Sequence, residues 1–148
     1  MPVTVWGEQA PPRPMDRARA VWRWALASPL DVTASRMQLR TILDHGVGIL
    51  PDRAEPVDID RLLLAYEELA SNGLRHGAPP VTVQVTGSAG GWLIDVTDAA
   101  PEHRPTPAVD RDPAYGGLGL YLIAEFATAC GWSRDAGRKH VWACIKPA

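Results

Sequence analysis

The sequence predicts an α+β fold, a two-layer sandwich in which a mostly antiparallel or mixed sheet carries its helices on one face. Three observations lead there. The periodicities run β-α-α-β-β-loop-α-β-β, so strands cluster rather than alternate with helices. The middle strands are joined by the tight glycine-rich turn GSAGG, which suits a hairpin. The chain has 148 residues, 46% of them hydrophobic, enough for one domain with a two-layer core.

Residues 1–17 hold prolines and charges without periodicity and read as a mobile arm ahead of a single domain over 18–148. AVWRWALA then alternates Trp22, Trp24 and Leu26 with Val21, Arg23 and Ala25, a strand with a polar position on its second face. SPLD offers turn and capping residues, and VTASRMQLRTILDHGV follows at helical spacing until Gly46 and Gly48 end it. After the loop ILPDRAEPVD, Asp58 is the expected N-cap of a helix over roughly 59–76 that Gly77 stops. PVTVQVTG and GWLIDVTD are strands. Residues 99–115, with four prolines, form a long irregular loop, and a loop of that length in a compact domain usually has a function. GGLGLYLIAEFATACG passes from a glycine loop into an apolar helix, and WSRDAG with RKHVWACIKP closes the chain as a strand pair.

Composition narrows the function. A formal net charge of −2 argues against nucleic-acid binding. The basic residues are almost all arginines, Lys139 and Lys146 being the only lysines, a bias that points with abundant Ala, Pro and Gly to a GC-rich genome. With no apolar run long enough to span a bilayer and no signal-peptide layout at the start, a soluble cytoplasmic protein without a membrane partner is expected. Cys130 and Cys144 lack CxxC spacing and read as small buried hydrophobes, and the four histidines show no metal-ligand spacing, so no transition-metal site is expected. His45, beside a helix-ending glycine, reads as a surface turn residue rather than a phospho-acceptor. The six tryptophans are expected as core or interface anchors.

Chemistry concentrates in three places. In EELASNGLRHG, Glu68, Asn72 and His76 fall four residues apart and drift only ~80° around a helix, giving one polar stripe. It is either a wet flank, since Glu67, Ser71 and Arg75 are also polar, or one side of a ligand site. GGLGL at 116–120 opens a helix, and the amides of a helix N-terminus attract anions, while glycines admit phosphate oxygens close to the backbone. Taken alone, a GxG there is weak evidence. Asp98 ends an apolar strand, where its carboxylate either caps a turn or accepts from a base amine.

The order of these features, helix E-L-x-x-N-x-x-x-H-G, strand ending in Asp, loop, then GxG and helix, resembles the histidine-kinase-like ATPase superfamily (Bergerat ATP-binding fold). Within it, the short lid region and lack of extra domains resemble anti-sigma-factor serine/threonine kinases of bacterial partner-switching systems, of actinobacterial type. The resemblance covers about 21–146. It implies ATP or ADP as ligand, with Asn72 holding Mg²⁺ against the phosphates and Glu68 as general base. It also implies that Asp98 reads the adenine amine, that Gly117, Leu118 and Gly119 contact phosphates, and that His76 lies near them. His140 stands where many relatives carry a Thr near adenine. The implied partners are a sigma factor and a STAS-type antagonist. A homodimer is expected, with strand 20–27 and its Trp22 and Trp24 as the pairing element. The runner-up is a nucleotide-dependent binding module without kinase activity, and a third reading is a relic that binds no nucleotide. One departure bears on both: where the family reads D-x-G-x-G, this chain has Asp98-Ala99-Ala100-Pro101. Alanine forced to positive φ costs about 1 kcal/mol, so the loop must take another path or hold nucleotide less well. Arg104 and Arg111 are either solubilising charge or groups for a γ-phosphate or an acidic partner.

Overall fold

The structure, a computed structural model, describes residues 6–12, 18–46, 48–105 and 118–148. Its elements are β1 (Ala20–Leu26), α1 (Pro29–Asp44), α2 (Pro56–His76), β2 (Val81–Ser88), β3 (Gly91–Asp98), α3 (Leu118–Phe126), β4 (Ala129–Asp135) and β5 (Arg138–Ile145). The five strands form one sheet in the order β1-β2-β3-β5-β4, every neighbouring pair antiparallel. The α+β architecture read from the periodicities is the one observed.

Register fixes which side chains meet the helices. Trp24, Val83, Val96, Val141 and Trp132 lie opposite one another across the sheet. That row faces the helices, because the Trp24 ring meets Tyr66 of α2 edge-on, with centroids 5.7 Å apart. Period-two alternation then sends Thr82, Thr97, His140 and Ser133, one residue along, to the opposite face. The core lies between this sheet face and α2, whose Leu62, Leu63, Tyr66, Leu69 and Ala70 are buried. Trp22 and Trp24 are partly buried and pack onto this core, and Trp24 donates its indole N–H to Gln38.

Helix starts follow from capping chemistry. Before α1, the backbone N–H groups of Ala27 and Ser28 donate to Asp31 Oδ2 at 2.7 and 3.2 Å, with Pro29 in the first turn. Asp58 does not sit at the N-cap of α2. It occupies the third helical position, and its Oδ2 accepts from the N–H of Glu55 at 2.8 Å. The helix therefore begins at Pro56, because proline is favoured at a first helical position and an acid two residues on satisfies the start. At the end of α1, exposed His45 holds the C-cap, with Nδ1 2.9 Å from Thr41 O.

Part of the segment read as a mobile arm is docked. Gln9 donates to Trp132 O, Trp132 donates to Gly7 O, and the Trp6 indole, buried at 1% exposure, donates to Leu120 O. Glu8 pairs with Arg134 at 3.1 Å. Strand β4 would otherwise present open N–H and C=O groups at the sheet edge, and residues 7–9 cover them. Residues 1–5 and 13–17 lie outside the described residues. The two cysteines face opposite sides of the β4–β5 pair, since Cys130 is opposite Ala143 and Cys144 opposite Ala129. Burial pushes the Cys130 thiol up to about 11, in keeping with an inert side chain.

Candidate functional site

Helix α2 carries the polar stripe at graded depth. Asn72 is 6% exposed, Glu68 is half-buried, and His76 is exposed in the last turn. The stripe is thus no uniform wet flank; its middle is pressed into the protein. Glu67, one residue from Glu68 and turned about 100° away, is engaged elsewhere, by the Ser71 hydroxyl at 3.0 Å and Arg36 at 4.0 Å.

What presses on Glu68 is α3. A Cβ built on Gly119 would lie 1.9 Å from Glu68 Oε2 and 2.4 Å from Cδ, so any larger residue there would push the carboxylate from its place. Burial raises the Glu68 pKa above its ordinary 4.5; the nearby Arg75 opposes this and Glu67 adds to it. A carboxyl moved in that direction is better matched to taking a proton near neutrality. Leu118 opens α3, while Gly117 and Arg111 lie outside the described residues.

The second half of the site is at the end of β3. Asp98 is 1% exposed. Its Oδ1 accepts from Ala100 N–H at 2.7 Å; its Oδ2 makes no hydrogen bond but lies 3.4 Å from the ammonium of Lys139, itself 1% exposed. Gly73 in α2 and Gly77 at its C-cap let the helix reach this strand end. A Cβ on Gly73 would lie 2.8 Å from Val96 Cγ1, and one on Gly77 only 2.4 Å from Asp98 Cγ. After Asp98 the chain is held by Ala99 N–H to Ala78 O at 2.8 Å, His103 N–H to Ala100 O at 3.1 Å, and Lys139 Nζ to His103 O at 2.5 Å. Arg104 lies over the Trp132 ring, 5.9 Å from its centroid. Among the described non-glycine residues only Arg53 and Ala136 have positive φ, so Ala99 and Ala100 are unstrained. The loop takes another path than a D-x-G-x-G turn would.

His140 is not brought to this site. It faces the other side of the sheet, where Nδ1 lies 3.0 Å from Asp95 Oδ2, which raises its pKa above the ordinary 6.5 against the effect of burial. The residue on the Asp98 side is its neighbour Lys139, directly opposite Asp98 in the β3–β5 register. A shift of one residue exchanges the faces of a strand, so Lys139 and not His140 stands on the Asp98 side.

A profile of the histidine kinase-like ATPase domain matches residues 26–145. The chain belongs to the histidine kinase-like ATPase family. No curated protein matches it. Among solved structures it is similar to the histidine kinase AdeS of Acinetobacter baumannii, at 17% identity and a TM-score of 0.43, covering 84% of this chain and 66% of that one.

An ATPase domain of this family implies a nucleotide ligand, and the residues present fit one. Asp98 Oδ2 is a buried acceptor left without a hydrogen bond, a condition that costs about 1–3 kcal/mol unless something donates to it. Gly77 and Gly119 leave the carboxylates of Asp98 and Glu68 in contact with bare backbone. Among the described residues no group of three or more His, Cys, Asp or Glu side chains is placed to hold a metal ion. Mg²⁺ retains several waters and needs few protein oxygens beside phosphate, so the single amide oxygen of Asn72 is a sufficient donor. No helix among the described residues is long and apolar enough to cross a membrane.

Proposed function

We propose that this ATPase domain is an ATP-binding regulatory serine/threonine protein kinase that acts as an anti-sigma factor in a partner-switching system. The observation that carries the kinase reading is the Glu68 carboxylate held against Gly119, with its pKa raised by burial, one helical turn from buried Asn72. Bound MgATP would supply the phosphoryl group and the cation that neutralises it. Asn72 would then offer its amide oxygen to the cation, Asp98 Oδ2 would accept from the base amine, and Glu68 would take the proton of an attacking Ser or Thr hydroxyl as its oxygen bonds to the γ-phosphorus and ADP leaves. Gly117, Leu118, Gly119 and His76 line the phosphate end in this reading. The protein partners are a sigma factor and a STAS-type antagonist, the setting is cytoplasmic, and the active form is a homodimer. Incubation with γ-labelled ATP and a candidate antagonist tests it. Label on antagonist Ser or Thr, lost in Glu68→Gln with ATP binding kept, is expected; binding without any transfer would remove the kinase half.

A second reading, a nucleotide-dependent binding module without transfer, is favoured by the Ala99-Ala100 pair where the family carries glycines. Ligand binding would then shift populations between docking states, and Glu68→Gln would retain full cellular activity.

A further inference from the structure

Lys139 is the buried charge that the foregoing mechanism leaves unused. A lysine is almost never fully buried unless paired, and this one has two described partners, Asp98 Oδ2 at 3.4 Å and the His103 carbonyl at 2.5 Å. Both belong to the base end of the site: one is the base-reading carboxylate, the other the segment that follows it. A buried ion pair is weak evidence for stability, since apolar residues of similar volume often serve as well or better. The pair therefore calls for another explanation, and its geometry supplies one. Asp98 Oδ1 is locked by the Ala100 N–H, while Oδ2 has a cation beside it but no hydrogen bond. One oxygen is fixed, the charge is balanced, and the other oxygen is buried with no donor bonded to it.

We propose that Lys139 is a positioning residue for base recognition: it aims the Asp98 carboxylate and clamps residues 99–103 through His103. The inference rests on the nucleotide site proposed above and deepens it. Because β5 register sets Lys139 opposite Asp98, the ammonium reaches both partners from one strand position. What the pair recognises is a nucleotide whose base offers an exocyclic N–H donor.

The test is calorimetric binding of ATP and of purine riboside 5′-triphosphate, which lacks the 6-amino group, to wild type and Lys139→Met. Wild type is expected to prefer ATP by about tenfold or more, the range of a hydrogen bond to a charged group. In Lys139→Met the preference should fall to about twofold or less, because the carboxylate is no longer aimed. A purely structural lysine would weaken both ligands equally and leave their ratio unchanged, which would overturn the proposal. Wild type binding both ligands alike would also overturn it, while leaving a nucleotide site standing. Binding of neither would remove that site and this inference together. Should Lys139→Met not fold, Lys139→Arg serves: its forked, longer group keeps the charge but misplaces it, so the ratio should drop at least about threefold. An unchanged ratio there sinks the idea.

Discussion

Replacing Gly119 with alanine separates the site from the fold. The new methyl would stand 1.9 Å from Glu68 Oε2, whereas ordinary contact begins at 3.4 Å, so the carboxylate must retreat by about 1.5 Å. The obstacle is the far end of a flexible side chain, which can rotate away. Alanine in a helix is about 1 kcal/mol better than glycine, and a poorer Glu68 rotamer costs roughly 0.5–1.5 kcal/mol. The two nearly cancel, so the melting temperature of Gly119→Ala should stay within about 3 °C of wild type. Catalysis should not survive as well. Displacing a reacting group by about 1 Å costs on the order of 10²-fold, so single-turnover transfer of γ-phosphate should fall by about that factor. Transfer is compared at saturating ATP, because Gly119 also lines the phosphate end in this reading and its new methyl should weaken ATP binding as well. In a Glu68→Ala background the same substitution should cost no further activity and should show its full helix gain of about 1 kcal/mol in denaturant. Transfer within about twofold of wild type would refute the placement of Glu68 as base.

Three further outcomes follow from named contacts. Glu68 has a folded-state pKa above 4.5, so the folded state binds more protons and stability falls as pH rises through the window above 4.5; Glu68→Gln should lack that fall in urea midpoints taken between about pH 4 and pH 7. His140 has its pKa raised above 6.5 by Asp95, so its pairing stabilises below 6.5 and the gain is lost as pH rises through the folded value. Asp95→Asn should flatten that part of the profile. Tyr66 donates to Ser35 Oγ at 2.6 Å, and burial pushes its pKa up to about 12. Ser35→Ala, leaving a buried hydroxyl without its acceptor, should cost about 1–3 kcal/mol by chemical denaturation.

Elements with strong periodicity were legible in the sequence: Trp22, Trp24 and Leu26 mark the inner face of β1, and the apolar run before Glu68 marks the buried side of α2. The stripe Glu68–Asn72–His76 was legible for the same reason, because i, i+4 spacing is a local property. Contacts between distant segments were not. Nothing local in Trp6 says that its indole meets Leu120, 114 positions away, and the arm therefore looked structureless. Strand register is also non-local: the run RKHVWACI does not show which parity faces Asp98, and it is Lys139, not His140, that stands opposite it. Asp58 fills the expected role from another position, since an N-cap and a third-position acid both satisfy a helix start.

The missing loop glycines change where the site is vulnerable. In this chain close approach to Asp98 comes from the end of α2, so sensitivity moves from residues 99–100, which sit in ordinary backbone, to Gly77. A methyl there would stand 2.4 Å from Asp98 Cγ and 2.5 Å from Gly73 O. Unlike the Glu68 carboxylate facing Gly119, the Gly73 carbonyl belongs to the helix and accepts the Gly77 N–H at 2.9 Å, so it cannot swing aside. Gly77→Ala must therefore part α2 from β3 or unwind its last turn. Either movement displaces Asp98 from Lys139, and leaving a buried pair broken costs about 3–5 kcal/mol. Ala100→Gly should cost less, about 1–2 kcal/mol: the entropy of a more flexible unfolded chain plus the burial of one methyl on a side chain that is 3% exposed. Equal sensitivity at the two positions would mean that the loop, not the helix end, shapes the base pocket.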